Sequence, residues 1–206
     1  MSTVRTFAIV PAAGRSQRMG QAKLLLPWGR HTIIEQVLAA WRASRVDKVV
    51  VVTHPDDANL ADVCKHAGAE VVVAASPPPD MKASVLLGLA HIRQFHAPQA
   101  HDGWLVAPAD LPLLSSAAID ATIAAHDPAN LRIVVPVDTN GKHGHPVLFP
   151  WPMAVEVASL GEDVGLKALL QSRELRTVAL PGGVDALDVD TPDEYRRLRD
   201  RYDRRD

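Results

Sequence analysis

The chain has 206 residues, 47% of them hydrophobic and 22% charged, with 22 basic side chains against 24 acidic ones. Its length fits one domain at roughly 150 residues per domain, and its composition excludes a disordered, collagen-like or disulfide-scaffold chain. A formal net charge of −2 offers no general field for nucleic acid or an acidic membrane surface, so an anionic ligand must be held by a local arrangement of donors.

No apolar run approaches the roughly 18 residues of a membrane span, and the opening MSTVRTFAIVPAAG lacks the length and flanks of a signal peptide. The expectation is a single domain over 1–206 in the cytoplasm, with neither nucleic acid nor membrane as a partner. Cys64, the only cysteine, excludes an internal disulfide and fits a reducing compartment.

In chain order, TFAIVPAAG at 6–14 reads as a strand and its following loop, and Ile33, Ile34, Val37, Leu38 and Trp41 form a helical stripe. KVVVVTH at 48–54 and AEVVVAA at 69–75 are apolar on both alternating faces, as strands buried in a parallel sheet are. Between them DDANLADVCKHAG predicts a helix ended by Gly68. Asp80 is placed to cap the helix MKASVLLGLAHIRQF; GWLVAPADLP then reads as a strand, Ser115 or Ser116 opens a helix, and LRIVVPV at 131–137 is a further strand. Right-handed crossovers turn such alternation into an α/β fold, a three-layer α/β/α arrangement with a Rossmann-like, mostly parallel sheet. Ligands belong at the carboxyl ends of its strands.

After position 138 the rhythm breaks. Asn140-Gly141 is a turn signal, and His143 to Phe149 reads as an antiparallel strand or hairpin arm, a small antiparallel insertion. Helices at 152–159 and 163–171, a strand at 175–180 and a final helix from Pro192 complete the expected elements.

The loop PAAGRSQRMGQAK at 11–23 is neither a P-loop nor a GxGxxG turn. It places small Ala12, Ala13 and Gly14 where backbone can approach a ligand, and adds the cations Arg15, Arg18 and Lys23. Together these could wrap a polyphosphate; the same composition also describes an ordinary turn with solvated basic residues. Asp110 ends the strand WLVAP at the sheet's carboxyl edge. There a carboxylate can hold Mg²⁺ or make an Asx-type turn ahead of Pro112. Thr191, Pro192 and Glu194 form a helix start, with threonine as N-cap, proline at the first helical position and glutamate closing a capping box. Asp188 and Asp190 sit on the segment entering it.

Of the nine histidines, His143 and His145 would share one face of a strand and could ligate a transition metal. No HExxH and no third ligand at suggestive spacing accompany them, while His91, His96 and His101 read as surface residues around a helix end. The terminal DEYRRLRDRYDRRD sets six arginines among five acids. That pattern reads as a solvated helix packed through Tyr195, Leu198 and Tyr202, not a nucleic-acid patch.

The run AAGRSQRMGQAKLLLPWG resembles the signature loop of the MobA-like nucleotidyltransferases. PADLPLLSS is similar to that family's G-D-x-P metal motif, with Ala109 for glycine, and ALDVDTPDEYRRL to its D-I-D-T-P-E-D-Y segment. PDMKASVLLGL is similar to G-M-S-A-S-L-x-x-G: Ser84 and Gly88 match, and Lys82 replaces a small residue. GKHGHPVLF and GEDVGLKALL resemble segments of the branch that handles molybdenum cofactor, with Lys167 where arginine is usual.

The resemblance implies a fold of the nucleotide-diphospho-sugar transferase type and a Mg²⁺-dependent transfer, with Mn²⁺ as alternative. A nucleoside monophosphate would pass from an NTP to an acceptor, with pyrophosphate released. Carried onto this chain, Lys23, Arg15, Arg18, Asp110 and Asp190 would be catalytic. Ala12, Ala13, Gly14, Arg15, Lys23 and Ser84 would bind the nucleotide, although Ser84 also reads as part of an ordinary helix. The metal would rest on Asp110 and on Asp190 or, second, Asp188; His145 and Lys167 would face the acceptor. Ala12-Ala13-Gly14 with a single glycine after Met19 resembles the cytidylyltransferase branch. That implies CTP as donor, molybdopterin (molybdenum cofactor) as acceptor and a recipient molybdoenzyme as partner. A sugar- or alcohol-phosphate nucleotidyltransferase and a non-catalytic cofactor carrier stand as alternatives.

Overall fold

The structure, a computed structural model, describes residues 3–14, 22–180 and 188–203. Its strands are β1 (Thr6–Ala12), β2 (Pro27–Trp28), β3 (His31–Thr32), β4 (Lys48–Thr53), β5 (Glu70–Val73), β6 (Gly103–Val106), β7 (Ile133–Val137), β8 (Val147–Pro150) and β9 (Leu175–Ala179). The helices are α1 (Ile33–Arg42), α2 (Ala58–His66), α3 (Met81–His96), α4 (Ser116–Ala124), α5 (Ala154–Ser159), α6 (Lys167–Ser172) and α7 (Pro192–Asp203).

Seven strands form one sheet in the order β5-β4-β1-β6-β8-β7-β9, and β2 and β3 make a separate small hairpin. β1 pairs parallel with β4 and β6, and β4 with β5. β8 runs antiparallel between β6 and β7, and β9 lies parallel to β7.

The continuous apolar strands are explained by helices on both faces. On one face Ala8, Val10, Val49, Val51 and Leu105 pack with Ile34, Val37 and Trp41 of α1, Leu60 and Cys64 of α2, and Ile119 of α4. On the other, Phe7, Ile9, Val50, Val52, Trp104 and Val106 meet Val85, Leu89 and Ile92 of α3, Val157 of α5 and Leu169 of α6. The helix α3 lies so close to β1 that a Cβ added at Gly88 would stand 2.7 Å from Ile9 Cγ2.

Local signals set the helix starts. Asp57, Asp80 and Ser115 each accept a hydrogen bond from a first-turn amide, and Thr32 with Glu35 forms a capping box. Gly68, at φ +85°, follows the end of α2. Among the described residues no helix is long and apolar enough to cross a membrane.

The region after 138 departs from expectation in detail. The strand expected over 143–149 is β8, beginning at Val147 after Pro146, which has no N–H to give to a ladder; the His145–Pro146 bond is cis. His143 and His145 therefore do not share a strand face. His143 lies on an isolated bridge to Val137, and His145 is half-buried. The helices expected at 152–159 and 163–171 are the shorter α5 and α6, the first preceded by a 3-10 turn at Trp151–Met153.

Candidate active site

β1 delivers Ala12, Ala13 and Gly14 to the carboxyl edge of the sheet, and β6 delivers Pro108, Ala109 and Asp110 beside them. Between these two strand ends lies a cleft of about 550 Å³, which Ser84 of α3 and Asp190 also line. Lys23 opens a 3-10 turn, Lys23–Leu25, whose Leu24 is buried in the core. Its Nζ stands 2.5 Å from Asp110 Oδ2 and 3.0 Å from Asp190 Oδ1. The three side chains keep only 14%, 17% and 24% of their exposure. Burial alone would lower the lysine pKa, but its hydrogen bonds to the two carboxylates and their charges outweigh that and raise it.

Two features hold Asp190 there. Thr191 and Glu194 close a capping box at the start of α7, and the Glu194 carboxylate also accepts from the Asp190 backbone N–H at 3.1 Å. The Val189 amide donates to the Asp110 carbonyl at 3.1 Å, tying the two carboxylate-bearing segments together. Val189 is fully buried, whereas Asp188 is exposed; it is Asp190 that meets Lys23. α7 is seated by Tyr195 and Tyr202 against Trp28, and Tyr195 Oη donates to the Pro27 carbonyl.

Asp110 Oδ1 is buried and has no hydrogen-bond partner among the described residues. An ionised carboxylate oxygen left so in a polar cleft asks for a cation, and the two carboxylates that converge on Lys23 make an oxygen donor set of the kind Mg²⁺ or Mn²⁺ takes. Arg15 and Arg18 lie outside the described residues.

A second cavity of about 520 Å³ adjoins the first, with Asp80 and Met81 in the wall of both. It contains His145 and Lys167, with Val147 and Phe149 as apolar wall. Burial pushes the His145 pKa down, opposed by the Val106 backbone and by the charges of Asp110 and Asp188. Lys82, the departure from a small residue, is buried and donates to the Gly161 and Glu162 carbonyls at 2.5 and 3.0 Å, holding the loop ahead of α6. Sequence reasoning overlooked His54, which follows β4 at the carboxyl edge and lines the first cleft. Its place one residue past a strand end was the available signal.

Residues 8–178 match the model of the MobA-like NTP transferase domain. The chain belongs to that family. A molybdenum cofactor guanylyltransferase of Xanthomonas euvesicatoria is 28% identical over 92% of either chain. A molybdenum cofactor cytidylyltransferase of Escherichia coli is 24% identical over 94% of this chain and 95% of its own. Among solved structures, Rv0371c of Mycobacterium tuberculosis superposes with a TM-score of 0.79 at 30% identity, covering 97% of this chain and all of that one. A second structure of Rv0371c, a complex with manganese, gives 0.74 at 28% identity over 96% and 99%. The MobA-like chain described here thus shares a nucleotidyltransferase fold along almost its whole length.

Proposed function

We propose that this MobA-like protein transfers CMP from CTP to molybdopterin and releases pyrophosphate, with Mg²⁺, or alternatively Mn²⁺, as its metal. The observation that carries the reading is the meeting of Lys23, Asp110 and Asp190 in one cleft at the carboxyl ends of β1 and β6. A carrier that only binds a pterin has no use for such a set.

The reaction needs no protein nucleophile. An oxygen of the acceptor's phosphate forms the new bond to the α-phosphorus as the bond from that phosphorus to the bridging oxygen breaks, and pyrophosphate leaves with the electron pair. The protein's task is positioning and charge neutralisation. Asp110 and Asp190 would hold the metal, which supplies electrostatic stabilisation of charge on the transferring phosphoryl oxygens. Lys23, with the backbone of Ala12, Ala13 and Gly14, would hold the β- and γ-phosphates; Arg15 and Arg18, between Gly14 and Lys23 in the sequence, would add cations. Ser84 would contact the nucleotide from α3.

The adjoining cavity suits the acceptor. Its apolar wall of Val147 and Phe149 can cover a flat heterocycle, and Lys167 can pair with an anionic group. His145, kept neutral near pH 7 by burial, would serve as a hydrogen-bonding group and not as a fixed charge.

The base assignment rests on Ala12-Ala13-Gly14 and the single Gly20, because similar relatives carry both guanylyl- and cytidylyltransferase names. The deciding experiment measures pyrophosphate release with Mg²⁺, molybdopterin and each of the four NTPs. CTP-selective release is the expected result. A preference for GTP overturns the base, turnover only with a sugar or alcohol phosphate overturns the acceptor, and molybdopterin binding without release from any NTP overturns the enzyme reading in favour of a carrier.

A further inference from the structure

A second group of ligating side chains gathers at the opposite end of the sheet. Glu70 opens β5, at the edge of the sheet, and His91 and His96 lie on the last turns of α3. The expectation that these histidines are simple surface residues fails: their side chains keep 20% and 15% of their exposure, and both aim Nε2 at one carboxylate oxygen. Glu70 Oε2 is 2.7 Å from His91 Nε2 and 2.9 Å from His96 Nε2. His101 is half-buried beside them in sequence but faces Asp102, at 3.7 Å. Among the described residues, Glu70, His91 and His96 are the one trio of His, Cys, Asp or Glu that brings a ligand atom from each within 4.8 Å of the others.

The rings are held in place. Phe7 packs against His96 with ring centroids 5.7 Å apart, Phe95 against His91 at 4.7 Å, and Arg5 Nη1 donates to the His96 carbonyl at 3.0 Å. Phe7 lies near the start of β1 and the cleft at the other end of that strand begins at Pro11, so four strand residues at about 3.3 Å each put about 13 Å between the two places.

We propose that Glu70, His91 and His96 form a Zn²⁺ site, separate from the catalytic cleft, that clamps the edge strand β5 to the end of α3. Two imidazoles and one carboxylate are a zinc donor set with a fourth position open to water, and imidazole favours zinc over magnesium or calcium. Tetrahedral bonds of about 2.0–2.2 Å require ligand atoms about 3.3 Å apart, so the two contacts to Glu70 would open by about half an ångström, while the histidine nitrogens, within 4.8 Å of each other, would settle at the same spacing. Each ring binds as the neutral tautomer that carries its one hydrogen on Nδ1 and gives the Nε2 lone pair to the metal; a neutral ring with that hydrogen on Nε2 moves it to Nδ1 through water, and an imidazolium passes its Nε2 proton to solvent. Lys48 Nζ, 3.7 Å from Glu70 Oε1, opposes a second cation, but half its side chain is exposed and can turn into water.

The test is a Zn²⁺ titration of the full chain carrying Asp110→Asn, which weakens competition from the cleft, read by calorimetry and by ¹⁵N spectra of the histidine rings. One bound equivalent is expected, with His91 and His96 signals moving to metal-bound positions and the melting temperature rising by about 5–10 °C at a hundredfold excess over Kd. Adding His91→Gln or His96→Gln should weaken binding at least tenfold. The proposal is overturned if binding is unchanged by these substitutions, if the His91 and His96 signals stay still under Zn²⁺, or if no zinc binds. The ring spectra need no histidine variant, so a variant that misfolds does not spare the idea.

Discussion

Lys23→Ala removes an ammonium that stands 2.5 Å from Asp110 Oδ2 and 3.0 Å from Asp190 Oδ1, and the geometry predicts two effects of opposite sign. At an effective dielectric of about 20, each contact has a Coulomb ceiling of about 6 kcal/mol. Having three charges partly out of water offsets most of that, leaving about 1–2 kcal/mol with which Lys23 competes against a metal at the two carboxylates. Without nucleotide, the variant should therefore bind Mn²⁺ about tenfold more tightly, followed by electron paramagnetic resonance of free Mn²⁺. In turnover the balance reverses. A cation about 4 Å from a phosphate charge is worth up to about 4 kcal/mol, so pyrophosphate release should slow by up to about 10³-fold. Turnover within threefold of wild type would remove Lys23 from the triphosphate site, and weaker Mn²⁺ binding would refute the competition at the carboxylates.

Three further predictions concern the scaffold. Gly88→Ala places a Cβ 2.7 Å from Ile9 Cγ2 and 3.2 Å from its Cγ1, and should cost about 1–3 kcal/mol; an unchanged urea midpoint would show that α3 can back away from β1. Asp102 is fully buried and accepts from the Arg5 amide, from Arg5 Nη2 and from the Gln99 amide at 2.8–2.9 Å. Asp102→Ala removes the acceptor of the Arg5 and Gln99 amides, while the part-exposed Arg5 guanidinium keeps its bonds to the His96 and Ala97 carbonyls; it should destabilise by about 2–3 kcal/mol, and a loss under about 1 kcal/mol in urea titration contradicts that account. Burial, with the Asp57 charge second, pushes the Cys64 thiol from 9.0 up to about 12. The native thiol should then resist Ellman's reagent at pH 8, and rapid labelling of folded protein would sink this. Because the folded pKa lies above the unfolded one, the native state keeps a proton that the unfolded chain releases. Stability from this group therefore falls as pH rises from about 9 towards 12, seen as a steeper decline in wild type than in Cys64→Ala.

Features that depend on neighbours a few residues away could be read from the amino-acid order alone. β1, β4 and β6 were legible because a strand covered on both faces must be apolar throughout. Asp80, Ser115 and the Thr191-Pro192-Glu194 start of α7 were legible because capping is settled within one turn. Asp110 could be assigned to the carboxyl edge because it follows such a strand, four residues past the end of β6. The antiparallel sense of β8 was legible, but its place between β6 and β7 was not, since a short apolar run pairs as well on either side and only packing of the whole sheet chooses. Nor was the choice of Asp190 over Asp188 to meet Lys23, which depends on where the Val189 amide joins the Asp110 carbonyl and so sets the chain beside Lys23. The same holds for Glu70 with His91 and His96. Residues separated by 21 and 26 positions share no local pattern, and they meet only because α3 packs back across the sheet and ends beside the start of its edge strand.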